Sequence, residues 1–295
     1  MFPFLYKNGT FVIQTFSVML MVASLAATFF AYWYAPKKGL SQIVILDLGI
    51  IGTLSAIVGM RLFHVFVENP SFRINNTGPV TNYMEDFKNF FIILKSVIFS
   101  HAHFSDLSIP MIFQIWRGGF VSYGAIIALV IADYTYLTVK KLPTWKYGDL
   151  LCLVAPLINF FVRIGCLGAG CCYGKQTHFF LHLVFTNRSS EAGQKFYGIP
   201  LHPTQIYDLL LNGVVLFLVL LWIDRRKKFD GQVVACFFMI YAIQRAFIEF
   251  FRGDVDRGVY FHGLISTAQI MGIAAFVFGL LLYIFLSKKN KPSLS

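Results

Sequence analysis

Seven runs of apolar side chains, each about the length that crosses a bilayer, succeed one another along the chain with polar connections between them. They cover roughly Phe11 to Tyr34, Ile43 to Val67, Gly119 to Val139, Asp149 to Leu167, Gln205 to Ile223, Gln232 to Phe251 and Leu264 to Leu286. Lysine and arginine collect in the short connections: Lys37 and Lys38, Lys140 and Lys141 with Lys146, Arg225 to Lys228, and Lys288 and Lys289 with Lys291. These clusters follow the first, third, fifth and seventh runs, so they all end on one side, and the excess of cations makes that side cytoplasmic. The expected fold class is all-α: seven transmembrane helices with the N-terminus outside and the C-terminus inside.

Three longer connections then fall on the outer face: residues 68–118, 168–204 and 252–263. In the first, Met84 to Phe99 repeats apolar residues at helical spacing beside Asp86, Lys88 and Lys95, which predicts an interfacial helix. The second mixes Asn187, Arg188, Ser189, Ser190 and Glu191 with glycines and reads as a small periplasmic lobe. No repeat or low-complexity segment divides the chain, so one transmembrane domain over 1–295 is expected. The first run has neither a basic leader nor a small-residue cleavage site, and is expected to remain as a span.

Composition agrees. Of 295 residues, 57% are hydrophobic and only 13% charged, which excludes a soluble domain. The net charge of +11 sits in clusters between spans, where orientation in the membrane accounts for it, and nucleic acid is excluded as a partner. Five cysteines, at 152, 166, 171, 172 and 236, are an odd number with two neighbours, which is no disulfide framework. Three of them lie close in sequence, yet no histidine or fourth cysteine stands at finger-like spacing. They are therefore read as small packing residues, and neither metal nor cofactor is expected.

The chemistry centres on Asn159 to Gly174, where an apolar helix carries Arg163 near its far end and then breaks into glycines and cysteines. A charge at membrane depth costs roughly 3 kcal/mol unless compensated, and irregular backbone there must be surrounded by protein or a wet cavity. The second, fourth and sixth runs all travel outward, and each carries arginine in its outer part: Arg61, Arg163, and Arg245 with Arg252. Among acids, Asp47 and Asp149 lie near the inner ends, leaving Glu249 as the expected near neighbour. The surplus asks for an external anion, and planar guanidinium groups suit a phosphate such as a phospholipid headgroup. In the sixth run Tyr241, Arg245, Glu249 and Arg252 fall on one helical face. His202 opens the fifth run before Pro203 and is a candidate general base or a structural residue. Gly118 and Gly119, followed by Tyr123, open the third run and allow close approach of backbone to a ligand.

On these motifs the chain resembles the prolipoprotein diacylglyceryl transferase family. The residues concerned are Arg163-Ile164-Gly165 through Tyr173-Gly174, His202-Pro203-Thr204-Gln205-Ile206-Tyr207, Tyr241 to Arg252, Gly59-Met60-Arg61 and Ser266-Thr267-Ala268-Gln269. The resemblance implies an enzyme of the bacterial inner membrane. It would move the diacylglyceryl group of phosphatidylglycerol to the lipobox cysteine of a prolipoprotein signal peptide and release glycerol phosphate. It further implies that Arg163 and Arg245 hold the phosphate, that Tyr241, Glu249, Arg252 and Gly174 belong to the site, and that Arg61 and His202 orient it; Gly119 would also line the headgroup. Four positions depart from the family pattern: Tyr123 replaces a histidine, Cys166 an asparagine and Cys171 a glutamate, and the tyrosine of the first span is replaced near Phe16. The phosphate-holding half is retained while the half that activates the acceptor thiol is changed; Tyr123 serves there only with a strongly acidified hydroxyl. A transferase with another acceptor, and a lipid-binding or lipid-moving protein without turnover, are the alternatives.

Overall fold

The structure, a computed structural model, describes residues 2–8, 11–67, 122–253, 259–260 and 265–289. It comprises two compact units, one of Met1–Leu46 with Pro143–Ser295 and one of Asp47–Leu142. The expected interfacial helix at Met84 to Phe99 lies outside the described residues.

The larger unit opens with an antiparallel hairpin, β1 (Phe4–Asn8) against β2 (Phe11–Gln14), with Tyr6 opposite Ile13. The first span therefore starts later than its apolar run: Phe11, Val12 and Ile13, aromatic and β-branched, pair as a strand, and α1 covers Thr15–Tyr34. Helix α2 (Gln42–Val67) begins in this unit and continues into the other. Helix α4 (Thr144–Ala169) runs through Pro156 and stops at Gly170, whose φ of +68° is the left-handed cap that glycine adopts without cost. A small lobe follows, in which β3 (Leu183–Val184) pairs with β4 (Pro200–Leu201) beside the short helix α5 (Glu191–Lys195). Tyr173, Phe185, Ala192 and Leu201 form its core.

The next span, α6 (Thr204–Arg226), contains a wide π-helical turn over Leu209–Val215. Helix α7 (Gln232–Glu249) and helix α8 (Thr267–Lys289) complete the unit, with a short β5 (Val259–Tyr260) and β6 (Ile265–Ser266) pair between them. The last span thus begins at Thr267 rather than Leu264, because Ile265 and Ser266 pair with Tyr260 and Val259. The fold is mostly helical, as an all-α membrane protein requires, and among the described residues three two-stranded pairs sit at element ends.

Six helices in the described residues are long and apolar enough to cross a membrane. Helix α3 (Ser122–Val139) has a shorter apolar length, Gly124–Val139, and the predicted start of its span at Gly119 lies outside the described residues. Leu25, Phe29, Ile273 and Leu281 are exposed, the surface that hydrocarbon covers without loss.

Close packing in the larger unit uses small residues. A side chain at Gly165 would lie 3.1 Å from the Met19 Cβ, and one at Gly168 would lie 2.8 Å from the Thr15 methyl, so α1 and α4 approach closely. The end bearing the basic clusters is tied by polar bonds. Lys38 pairs with Asp224 at 2.8 Å, and the buried Asp149 accepts from the backbone N–H groups of Gly231, Val233 and Val234 while pairing with Lys227 at 2.7 Å. Asp149 so supplies the donors at the start of α7 with an acceptor from another helix. In the smaller unit, a Cβ at Gly59 would lie 2.3 Å from the carbonyl of Gly124, which brings α2 and α3 into backbone contact. The Tyr136 hydroxyl there donates to Asp47.

Candidate active site

The end of the larger unit away from the basic clusters gathers most of the residues singled out from the sequence. Arg163, near the end of α4, pairs with Asp208 on α6 at 2.7 Å, and the Asp208 side chain is only 3% exposed. The other carboxylate oxygen of Asp208 accepts from the amides of Asn159 at 3.1 Å and Asn212 at 2.9 Å. Asn159 and Arg163 stand one turn apart on α4, as Asp208 and Asn212 do on α6, so two facing ladders form one polar knot. This corrects the expectation that Glu249 alone lies near the arginines: Asp208 neutralises Arg163. The knot leaves valences open. Among the described residues Arg163 Nε, Gln205 Oε1 and Asn212 Oδ1 are buried without a hydrogen-bond partner.

Between α4 and the lobe, the glycine and cysteine loop is stitched to two other segments. Gln205 donates its amide to the Cys171 carbonyl at 2.8 Å, and the Thr204 hydroxyl donates to the Cys172 carbonyl at 2.7 Å. Gly174 N–H donates to the His202 carbonyl at 3.1 Å, His202 N–H to the Lys175 carbonyl at 2.9 Å, and Lys175 N–H to the Phe251 carbonyl at 2.9 Å. Gly174 also bridges to Arg252. A Cβ at Gly174 would lie 2.4 Å from the His202 carbonyl oxygen, so only glycine lets these backbones meet. Gly174 and Arg252, 78 positions apart in the chain, are thereby held side by side.

On α7, Arg245 pairs with Glu249 at 2.5 Å, both largely buried. The Ser266 hydroxyl hydrogen-bonds the Glu249 carboxylate. Ser266 is itself the cap of α8: its backbone N–H donates to Gln269 Oε1 at 3.0 Å and its hydroxyl accepts from the Gln269 N–H at 3.3 Å. This reciprocal capping box gives the Ser266-Thr267-Ala268-Gln269 motif its structural meaning. Tyr241 stacks on Phe237 with ring centroids 5.6 Å apart. His202 Nδ1 lies 3.3 Å from the Tyr207 hydroxyl, and its ring packs edge-on against Phe251. Its backbone bonds and ring contacts place His202 as a fixed piece of the loop frame.

Electrostatics tie these parts together. Asp208, Cys172, Cys166 and Tyr241 all act on the charge of Arg163, while Arg245 and Arg252 both act on Glu249. Hydrogen bonds from the Cys166 and Cys171 thiols hold the Cys172 thiol well below its ordinary pKa, and against the cost of burial the charges of Arg163 and Arg252 act the same way. Among the described residues, three guanidinium groups and two carboxylates thus share one neighbourhood, an excess of one positive charge. The three cysteines, expected to serve only as small packing residues, come together with sulfur atoms all within 4.8 Å of one another.

Of the remaining sequence candidates, Arg61 lies on α2 and Tyr123 on α3, both in the smaller unit, and their side chains lie outside the described residues, as does Gly119 altogether. Sequence reasoning missed Asp208, Asn159, Asn212 and Gln205. Its available signal was the spacing of four between polar residues inside two otherwise apolar runs.

Such a cluster of charges, at one end of a bundle of helices long and apolar enough to cross a bilayer, defines a multi-pass membrane protein with a polar centre. The chain belongs to the prolipoprotein diacylglyceryl transferase family, whose pattern it matches over residues 3–285. It is 29% identical over 281 residues to a phosphatidylglycerol–prolipoprotein diacylglyceryl transferase of Clostridium tetani, covering 95% of this chain and 96% of that protein. The second such transferase of Clostridium perfringens is 39% identical over 176 residues, 59% of this chain and 64% of that one. The transferase of Campylobacter lari is 26% identical over 285 residues, 94% and 92% of the two chains.

Proposed function

We propose that this protein transfers the diacylglyceryl group of phosphatidylglycerol to the lipobox cysteine thiol of a prolipoprotein and releases glycerol phosphate. In this reading it works as one seven-span domain over 1–295 in the bacterial inner membrane, with its N-terminus and small lobe on the periplasmic side and its C-terminus in the cytoplasm. The observation that carries the proposal is the excess of guanidinium over carboxylate around Arg163, Arg245 and Arg252.

The reaction explains why that excess is needed. The phosphate of the donor is a diester with one negative charge, and cleavage of the bond between glyceryl carbon and phosphate oxygen leaves a monoester with two. Charge therefore grows on the phosphate as the bond breaks, and fixed cations in a dry site stabilise that growth more than they stabilise the bound lipid. Arg163 uses one terminal nitrogen on Asp208 and keeps Nε for the phosphate. Arg245, held by Glu249 and through it by Ser266, supplies the second guanidinium, and Arg252 the third. Asp208 and Glu249 aim the arginines and keep the empty site near neutrality. Gly174 lets the loop lie against Arg252, His202 frames that loop, and Tyr241 places its hydroxyl on the same face of α7. Gln205 Oε1 and Asn212 Oδ1, buried acceptors without donors, fit the hydroxyls of a glycerol headgroup. On the family pattern, Arg61, Gly119 and Tyr123 are expected to serve the same reaction.

The test is incubation of the purified protein with phosphatidylglycerol and a lipobox peptide. A diacylglyceryl mass gain on the peptide with matching free glycerol phosphate is expected. Glycerol phosphate without peptide modification means another acceptor or hydrolysis, and lipid binding with neither product means a protein without turnover; both outcomes overturn the proposal.

A further inference from the structure

Cys166, Cys171 and Cys172 take no part in the proposed phosphate chemistry. Yet among the described residues they are the one group of three or more histidine, cysteine or acidic side chains whose donor atoms converge, with sulfurs within 4.8 Å of one another. Their convergence is built by the backbone. The left-handed cap at Gly170 turns the chain back so that the N–H groups of both Gly170 and Cys171 donate to the Cys166 carbonyl. Cys172 then takes a φ of +57°, a conformation that side chains with a Cβ rarely adopt and that persists only where surroundings enforce it. Here Thr204 and Gln205 enforce it by holding the carbonyls of Cys172 and Cys171. Three thiols on a loop fixed from a second helix are pre-arranged donors.

Four-coordinate zinc binds sulfur at about 2.3 Å, which sets sulfurs about 3.8 Å apart; the observed spread closes to that value by side-chain rotation of about 1 Å or less. Three thiolates on a divalent ion leave one negative charge, and Arg163 and Arg252, both acting on Cys172, compensate it. Three protein ligands and an open fourth position is the arrangement of a zinc ion that does chemistry, whereas structural zinc is closed by four.

We propose that Cys166, Cys171 and Cys172 form a three-thiolate site for a thiophilic d10 cation, Zn2+ foremost, whose open position takes the thiol of the acceptor cysteine. The site of metal binding stands on the sulfur geometry alone; the acceptor's part in it rests on the proposed transferase reading. A thiol that enters the coordination shell loses its proton, which passes to water at the outer face. The resulting thiolate sulfur attacks the glyceryl carbon that bears the phosphate. A carbon–sulfur bond forms, the carbon–oxygen bond to phosphate breaks, and its electron pair leaves on glycerol phosphate beside the arginines. Nothing is oxidised or reduced.

The experiment uses the full chain purified in detergent under reducing conditions. Metal content is measured as purified, after chelation, and after titration with Zn2+, Cu+ and the spectroscopic substitutes Co2+ and Cd2+. Expected are one tightly held ion per chain, thiolate-to-metal absorption with Cd2+ and Co2+, and loss of both in Cys166→Ser, Cys171→Ser and Cys172→Ser. Cu+ binding in place of Zn2+ keeps the site and changes the ion. A lipobox peptide, added to the Co2+ form, is expected to shift the absorption, and its Cys→Ser version is not. Absence of bound metal, equal binding by the serine variants, or a disulfide among these cysteines in the reduced wild type overturns the site. Diacylglyceryl transfer that survives complete removal of the ion overturns its role in activating the acceptor. If the loaded wild type transfers nothing to any peptide, the transferase reading falls, while the metal titration still decides the site.

Discussion

The carboxylate of Asp208 and the guanidinium of Arg163 meet at 2.7 Å inside the larger unit, across two different spans. Removing one partner of a buried pair leaves the other uncompensated, at a cost of about 3–5 kcal/mol. Asp208→Ala is therefore expected to lower the unfolding temperature in detergent strongly. The Arg163→Ala, Asp208→Ala double variant should lose less than the sum of the singles. Additive losses would mean that the two side chains do not act as a unit.

Arg245 differs in that its partner Glu249 comes from the same helix, one turn on. Arg245→Ala is expected to reduce release of glycerol phosphate about 100-fold or more, the size of effect seen when one donor to a developing negative charge is removed. Arg245→Lys keeps the charge but not the planar fork and is expected to fall between. Rates near wild type in the alanine variant would remove Arg245 from the phosphate site.

Gly174→Ala introduces a methyl group 2.4 Å from a carbonyl oxygen of the neighbouring segment. The backbone has to move away from His202, at about 1–3 kcal/mol, which disturbs the Gly174 bond to the His202 carbonyl and with it the adjoining bridge to Arg252. Loss of turnover with a folded, modestly destabilised protein is the expected result. An unchanged rate would show that the loop need not touch Arg252.

Ser266→Ala removes a helix cap, at about 1 kcal/mol, and also the hydroxyl that steadies Glu249. Turnover is expected to fall by more than the cap loss explains, and Ser266→Thr is expected to restore it. Asp149→Asn supplies the contrast at the opposite end of the unit. It weakens the Lys227 pair and the acceptor for the first N–H groups of α7, so the unfolding temperature should drop while the activity of folded protein stays the same. A parallel loss of activity would couple the two ends.

The spans were legible because apolar runs of bilayer length leave few alternatives, and the polar face of α7 was legible because Tyr241, Arg245 and Glu249 repeat at helical spacing within one helix. Asp208 was not legible as the partner of Arg163. Forty-five positions separate them, and no periodicity links residues on different helices; only the fold sets their register. The hairpin ends were hidden for another reason. Phe11 to Gln14 and Ile265 to Ser266 are apolar enough to extend a span, and what makes them strands is a partner segment a few residues away. The thiol cluster lay between these cases. Spacing showed three cysteines near one another, but their meeting depends on the positive φ of Gly170 and Cys172 and on two bonds from α6.

The wide turn over Leu209–Val215 follows Asp208 directly and contains Asn212. An uninterrupted α-helix would fix one rotational phase for the whole span, so turning its lower half toward lipid would dictate where its upper half points. The extra residue in that turn decouples the two halves, and the polar upper half can face inward while the apolar lower half answers to the bilayer. Deleting a single residue there is a change of angle more than of length, and its penalty should appear at Arg163 before it appears in the stability of the span.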